Sequence, residues 1–206
     1  MSDCQFFKDD VEEISTTTLT NGFLKVDCLR LKFRLFQGGW SSPITRELVL
    51  RGATVALLVY DPLIDSVLLI EQMRVGALRD EVSPWQLELI AGMVELGEDE
   101  QAVALRECEE ESGLQINAAE LLFRYYNSPG LTDETTSLFY AEASLSQTQG
   151  IHGLAYEGEN IRTRVVSRKS ALAQCHAGVI KNAHVILALQ WLELSLMRDK
   201  KAALTK

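Results

Sequence analysis

The feature that most constrains this chain is a predicted helix that ends in a crowd of acidic residues. The sequence indicates a helix between Glu98 and Gly113, with Gly97 just before it. The acids of its first turn suit the positive end of the helix dipole, and Gly113 suits the left-handed closing position. The last turn lies at the negative end of the dipole, yet it contains four glutamates: Glu107, Glu109, Glu110 and Glu111.

Negative charge in the last turn opposes the helix dipole, at a cost of about 0.3–1 kcal/mol for each residue. Glu107 shares a helical face with both Glu110 and Glu111, because residues three and four apart are neighbours on a helix surface. Two interpretations are open at this point. The acids could form a solvated helix end, or a cation could complete the site. An oxygen-only cluster favours a hard ion, Mg²⁺ or Mn²⁺, over zinc.

The spacing of this segment separates the two interpretations. From Gly92 to Leu114 the chain has nine specified positions, among them Glu98, the Arg106-Glu107 pair, Glu110, Glu111 and Gly113. This pattern is similar to the signature of the Nudix hydrolases. Cys108 stands where a larger aliphatic residue is usual. On a helix it points away from Glu107 and Glu111, and we expect it to be a small core residue.

Composition limits the class of protein and its partners. The chain has 206 residues, of which 47% are hydrophobic and 24% are charged, and its formal net charge is −9. That charge argues against nucleic acid as a partner. No apolar run is long enough to span a membrane, and residues 1–13 lack a signal-peptide pattern. The four cysteines have no metal-ligand spacing, which favours reduced thiols and a cytoplasmic location.

Residues 1–51 are predicted to form a small N-terminal antiparallel β-sheet. Strands are expected at residues 11–18, 23–36 and 45–51, where β-branched or alternating apolar residues occur. Three strands have little core of their own, so the sheet must pack on the rest of the chain or on a second copy. Gly52 marks the boundary with a second domain, residues 52–206.

The second domain is predicted to contain both strands and helices. Buried strands are predicted at residues 53–60 and 66–72, and further strands at 85–92, 120–126, 137–144 and 161–166. Residues 145–160 form a long Gly-rich loop, and loops of that length are usually functional. Ser167 and Asn182 are expected to cap two C-terminal helices.

Within the Nudix superfamily the chain resembles the bacterial ADP-ribose pyrophosphatases from about Leu19 to Trp191. Three features carry this resemblance: Pro129, the run Gly150-Ile151-His152-Gly153-Leu154-Ala155, and residues 186–192 of the last helix. The resemblance implies a Nudix α/β/α sandwich with a mixed sheet. It also implies a homodimer that exchanges its N-terminal sheets between subunits, and Mg²⁺-dependent cleavage of ADP-ribose to AMP and ribose 5-phosphate.

The resemblance also assigns roles to individual residues. Glu107 and Glu111 would be the central metal ligands, joined by Glu110, the backbone carbonyl of Ala91 and the loop residue Glu159. Glu157 would be the catalytic base, since glutamates that hold a metal are poor bases. Arg106 and Glu98 would pair to hold the site together. His152 is a rival base by its ordinary pKa, although we expect it to shape the loop.

The same resemblance predicts substrate contacts. Phe23 would stack on adenine, Arg46 and Arg74 would contact phosphate or ribose, and Glu47 and Glu88 are weaker candidates for polar contacts. Three other functions stay open at this stage. These are a broader nucleoside diphosphate sugar pyrophosphatase acting on ADP-glucose or GDP-mannose, a metal- or nucleotide-sensing domain without catalysis, and an acidic interaction protein.

Overall fold

The structure is a computed structural model that describes residues 5–146 and 148–204. Its N-terminal unit is a three-stranded antiparallel sheet. Its strands are β1 (Val11–Asn21), β2 (Lys25–Phe33) and β3 (Ile44–Leu50), in the spatial order β1-β2-β3. Every residue of β1 is exposed, and Asp27 is the one buried residue of β2. The sheet therefore has little core of its own, as its short sequence predicted.

A distant segment, Tyr126–Thr135, belongs to this same compact unit. The Val49 N–H donates to the Leu131 carbonyl at 2.9 Å, and the Asp133 N–H donates to the Val49 carbonyl at 3.3 Å. The Asp133 carboxylate also accepts from the backbone N–H groups of Arg51 at 2.7 Å and Gly52 at 3.1 Å. The division into residues 1–51 and 52–206 stays a prediction, and the observed first unit includes this segment in addition.

The second unit contains a mixed sheet in the order β10-β11-β5-β4-β9-β8, with β6 paired to β5 and β7 paired to β4. The strands are β4 (Ala53–Asp61), β5 (Ser66–Met73), β6 (Trp85–Glu88), β7 (Ile90–Met93), β8 (Glu120–Tyr126), β9 (Thr135–Glu142), β10 (Ile151–His152) and β11 (Ile161–Ser167). The helices are α1 (Glu100–Ser112), α2 (Arg168–His176) and α3 (Ala183–Leu204).

Two apolar clusters hold the helices on opposite faces of this sheet. Leu57 and Ile70 lie in a cluster with Cys108 of α1, whereas Leu58 lies in the other cluster with Leu189 of α3. Neighbouring residues of one strand point to opposite faces, so a continuously apolar strand packs against helices on both sides. The predicted α/β/α sandwich with a mixed sheet is confirmed.

Local differences from the predicted elements have identifiable causes. The strand expected over residues 85–92 is divided at Leu89 into β6 and β7, which pair with different neighbours. Helix α1 begins at Glu100, two residues later than predicted, because the Asp99 side chain accepts from the Ala102 N–H at 2.9 Å and caps it. Ser167 and Asn182 cap α2 and α3 as expected.

Cys108 is a core residue, as the sequence analysis expected. Cys28, Cys108 and Cys175 are free thiols, and Cys4 lies outside the described residues. Cys108 is fully buried, and burial raises the pKa of its thiol to about 11. No helix in residues 5–146 and 148–204 has the length and hydropathy needed to cross a bilayer.

Candidate active site

The end of helix α1 points its acidic side chains in two directions. Gly113 closes the helix in the left-handed conformation at φ 67°, and its N–H donates to the Glu109 carbonyl. The exposed Glu109 side chain accepts from Gln115 Nε2 at 2.7 Å. Glu107 and Glu111 instead lie against strand β7, one helical turn apart from each other. The helix therefore separates one solvated acid from a face that could hold a cation.

Glu111 is the buried member of this face, with 3% of its surface exposed. Its Oε2 accepts from the Ala91 N–H at 3.0 Å. Burial raises the pKa of the Glu111 carboxyl well above its usual range, and the negative charges of Glu107 and Glu159 raise it further. The hydrogen bond from Ala91 and the positive charge of Arg74 oppose this rise. Desolvation is thus the main cost of keeping this carboxylate ionised.

Glu107 lies directly on Gly92, the residue that follows Ala91. A Cβ atom built on Gly92 would lie 2.5 Å from Glu107 Cγ, and still closer to Cδ and Oε1 of that carboxyl. Ordinary side-chain contacts are no shorter than about 3.4 Å, so a side chain at this position would displace the Glu107 carboxylate. Strand β7 therefore receives the Glu111 carboxylate at one residue and the Glu107 carboxylate at the next.

Arg106 approaches three acids of this region. Its guanidinium nitrogens lie 3.3 Å from Glu107 Oε1, 3.7 Å from Glu98 Oε1 and 3.8 Å from Glu110 Oε2. Glu98 also accepts from the Glu95 N–H at 2.8 Å, and so holds the chain that leads into the helix. Because Arg106 is almost half exposed, these pairs are screened by solvent, and each contributes little to stability.

The donor set fits a hard divalent cation. The predicted ligands, the carboxylates of Glu107, Glu110 and Glu111 and the carbonyl of Ala91, would offer oxygen atoms alone, the set that Mg²⁺ and Mn²⁺ prefer. Burial is the main cause of the raised pKa of Glu111, and the charges of Glu107 and Glu159 add to it; a bound cation would offset both. Within the described ranges, however, no group of three or more His, Cys, Asp and Glu side chains is already gathered as a metal site. Arg106 contacts Glu107 and Glu110 instead.

The predicted catalytic loop folds onto the end of helix α1. The Gly153 N–H donates to the Glu110 carbonyl at 3.2 Å, and the Leu154 N–H donates to Glu159 Oε2 at 2.9 Å. The charge of Glu159 acts on Glu111, so this loop acid belongs to the same electrostatic site. Glu157 ends a short 3-10 turn that begins at Ala155, and its side chain lies outside the described part of the chain.

Glu88 joins Arg74 to the start of helix α3. Its Oε2 accepts from Arg74 Nε at 2.8 Å and from Gln72 Nε2 at 3.3 Å, while its Oε1 accepts from Asn182 Nδ2 at 3.1 Å. Both oxygens of this buried carboxylate are therefore bonded within the protein. The arrangement suits a residue that orients Arg74 more than one that contacts substrate itself.

The remaining predicted substrate residues lie in the N-terminal unit. Phe23 is 94% exposed, in the turn between β1 and β2. Arg46 and Glu47 are neighbours on β3, both are exposed, and Arg46 donates to the Thr45 carbonyl at 2.8 Å. An exposed aromatic ring and an exposed guanidinium group are therefore both present in this unit.

The sequence did not indicate three of these contacts. The Gly92 cradle, the contact of Gly153 with Glu110 and the Asn182–Glu88 hydrogen bond all join residues that are distant in the chain. One feature of the sequence could have indicated the contact at Gly92, because a glycine within a predicted strand often marks the close approach of another group. No comparable feature of the sequence indicated the Gly153–Glu110 or the Asn182–Glu88 contact.

Comparisons with known proteins extend this picture. A family model for the NUDIX domain matches residues 50–189. The chain is 44% identical over 199 residues to an ADP-ribose pyrophosphatase of Haemophilus influenzae, covering 95% of this chain and 92% of that protein. It is also 44% identical over 189 residues to an ADP-ribose pyrophosphatase of Escherichia coli K12, covering 92% of this chain and 90% of that protein.

More distant relatives differ in their substrates. A GDP-mannose pyrophosphatase of Cronobacter sakazakii is 36% identical over 156 residues, which covers 75% of this chain and 80% of that protein. A crystal structure of an ADP compounds hydrolase superposes with a TM-score of 0.71 at 18% identity, covering 92% of this chain and 96% of that one. This last likeness concerns the fold alone.

Proposed function

The chain belongs to the Nudix family, and on that basis we propose that it hydrolyses the diphosphate bond of ADP-ribose. Water adds to one phosphorus, the bridging P–O bond breaks, and the products are AMP and ribose 5-phosphate. The proposal makes the protein a Nudix pyrophosphohydrolase whose metal ion is Mg²⁺, with Mn²⁺ as an alternative.

One observation carries the choice of substrate. The family model covers residues 50–189, but the ADP-ribose pyrophosphatase of H. influenzae matches 95% of the chain at 44% identity. This match must therefore include most of the N-terminal sheet, which the family model does not reach. The sheet contains Phe23, Arg46 and Glu47, the side chains proposed to contact the nucleotide.

The metal-binding role is proposed for Glu107, Glu110, Glu111, Glu159 and the Ala91 carbonyl. Divalent cations held there would neutralise the diphosphate and lower the pKa of an attacking water. What the chain contributes is position: Gly92 admits the Glu107 carboxylate, and the Ala91 N–H fixes Glu111. Arg106, with Glu98, would keep the carboxylates of Glu107 and Glu110 apart and oriented.

Glu157 is proposed to take the proton from the attacking water. Support for this comes from the neighbouring loop contacts, because the Gly153 N–H donates to the Glu110 carbonyl and the Leu154 N–H donates to Glu159 Oε2. A glutamate that is not itself a metal ligand keeps the basicity that this role needs.

Arg74 is proposed to bind a phosphate or ribose oxygen, with Glu88 holding its guanidinium group in place. We further propose a homodimer that exchanges N-terminal sheets and works in the cytoplasm. Support for the exchange is that all eleven residues of β1 are exposed, which leaves a long strand with unburied faces.

The second candidate is a broader nucleoside diphosphate sugar pyrophosphatase. It is favoured by the 36% identity to a GDP-mannose pyrophosphatase over 75% of the chain. The metal-binding residues would be the same in both cases. The choice between the two functions therefore depends only on the residues that contact the base and the sugar.

The test is a substrate panel of ADP-ribose, ADP-glucose, GDP-mannose and NADH, assayed with Mg²⁺ and separately with Mn²⁺. We expect kcat/KM for ADP-ribose to exceed that for GDP-mannose by about 100-fold or more, as a polar site rejects a mismatched base. Glu111→Gln serves as the inactive control. Equal kcat/KM across the panel would favour the broader enzyme, and no hydrolysis of any member would reject both.

A further inference from the structure

The loop after β9 is held to helix α1 by an unusual packing of His152. A Cβ atom built on Gly150 would lie 2.7 Å from His152 Nε2, and one built on Gly113 would lie 2.9 Å from His152 Cε1. The imidazole ring therefore sits in a cradle formed by two glycines, one from the loop and one from the helix end. Neither position has room for a side chain while the ring is there.

The ring nitrogen Nε2 forms no hydrogen bond. Within the described part of the chain it is the one buried side-chain nitrogen or oxygen without a partner. A buried polar atom in that state is unfavourable, and an apolar side chain would avoid the penalty. Its burial against Gly150 also leaves Nε2 without access to a water molecule, which weighs against His152 as a catalytic base.

His152 lies immediately before the residues that carry the loop to the acidic site. The next N–H, that of Gly153, donates to the Glu110 carbonyl at 3.2 Å. Built on Gly153, a Cβ atom would lie 2.8 Å from the Cβ of Glu159, so Glu159 packs closely on the same backbone. A change at residue 152 would therefore be passed directly to both the helix contact and the loop acid.

We propose that His152 is a positioning residue, whose ring wedges between Gly113 and Gly150 and fixes the segment carrying Glu157 and Glu159 against helix α1. The role depends on the shape of the ring and involves no proton transfer. The inference rests on the proposed function, because it concerns the loop that would supply the base and a metal ligand.

The test is a double-mutant cycle of Gly150→Ala and His152→Ala. The three atoms nearest to a Cβ on Gly150 all belong to His152, and Gly150 does not have a positive φ, so the alanine conflicts with the ring alone. Each single variant should lower kcat about 10- to 100-fold, as expected for a loop displaced by roughly 1 Å. The double variant should be no slower than His152→Ala, because the conflict has been removed. Additive losses would overturn the proposal.

A second readout needs no substrate and no metal. Hydrogen exchange of the Gly153 amide should speed up at least about 10-fold in His152→Ala and in Gly150→Ala, as its bond to Glu110 opens. Gly76→Ala is the matched control, since nothing lies within 4 Å of a Cβ there and its φ is not positive. An unchanged amide in both variants would overturn the proposal, even if activity fell.

The conservative variant His152→Phe separates shape from chemistry. It keeps a flat ring and removes both nitrogens, so we expect kcat to recover to within about threefold of the wild type with an unaltered pH profile. Loss of activity with a protected Gly153 amide would identify a chemical role for His152 and reject the wedge. Failure of the proposed function is distinguishable, because the exchange result would stand while ADP-ribose remained uncleaved.

Discussion

Gly92→Ala offers the sharpest test of how this site is built. The added methyl group would meet Cγ, Cδ and Oε1 of Glu107, with the nearest of them well inside ordinary contact distance. Its three nearest neighbours all belong to the far end of one flexible side chain. The backbone can therefore stay in place while the carboxylate moves.

The size of the effect follows from these distances. Restoring ordinary contacts of about 3.4 Å requires the Glu107 carboxylate to retreat by roughly 1 Å. A displacement of that size in a reactive centre lowers turnover by about 100-fold, which corresponds to about 2.7 kcal/mol of transition-state stabilisation. Stability should be unchanged or slightly higher, because Gly92 does not have a positive φ and alanine restricts the unfolded chain by about 0.4–1 kcal/mol.

The assay pairs steady-state hydrolysis of ADP-ribose with the melting temperature and a Mg²⁺ titration. We expect kcat to fall about 100-fold and Mg²⁺ affinity to weaken, with the melting temperature preserved to within about 3 °C. Gly76→Ala, which adds a methyl group in open space, should behave as the wild type. The reasoning fails if Gly92→Ala retains more than about a third of the wild-type kcat, or if its activity falls only because the protein unfolds.

Three further variants test separate parts of the site and the fold. Glu111→Gln should raise the metal-free melting temperature at pH 7 by about 2–4 °C, because an acid whose pKa is raised on folding lowers stability once pH exceeds its unfolded pKa. The same variant should lose the stabilisation by Mg²⁺. Calorimetry with and without Mg²⁺ measures both effects. Glu157→Gln should lower kcat by about 10²- to 10⁴-fold while leaving the Mg²⁺ Kd nearly unchanged, and a collapse of Mg²⁺ binding would instead make Glu157 a ligand. Asp65→Asn removes the bidentate partner of Arg168, whose hydrogen bond lowers the pKa of Asp65. Urea unfolding should show a loss of up to about 1 kcal/mol at pH 7, which shrinks below the ordinary carboxyl pKa and disappears as pH falls through the lowered pKa of Asp65.

The sequence predicted those parts of the fold that depend on local pattern. Continuous apolar runs gave β4 and β5, and the caps at Ser167 and Asn182 gave the starts of two helices. Each of these inferences uses residues within a few positions of one another. The division between β6 and β7 escaped prediction, because the alternation continues through Leu89 and only the choice of neighbouring strand changes.

Long-range placement could not be predicted in the same way. Asp133 binds the backbone of Arg51 across 82 residues, and this contact places Tyr126–Thr135 with the N-terminal sheet. The segment lies between the strands predicted at residues 120–126 and 137–144, and its composition gives no reason to assign it to either unit. The ring of His152 in its glycine cradle is a similar case, because the sequence shows two glycines and a histidine but not that they meet.

The acidic end of α1 could be predicted as a site for a different reason. Its charges oppose the helix dipole, whereas those at the start of the helix favour it. Asp99 caps the helix and Gly113 closes it in the left-handed conformation, so the backbone at both ends is well formed. The glutamates of the last turn oppose the dipole, and burial adds to the cost at Glu111. A helix with well-formed caps has no local need for this arrangement. The deviation therefore coincides with the place where we propose that a cation binds, at the expense of the stability of the metal-free chain.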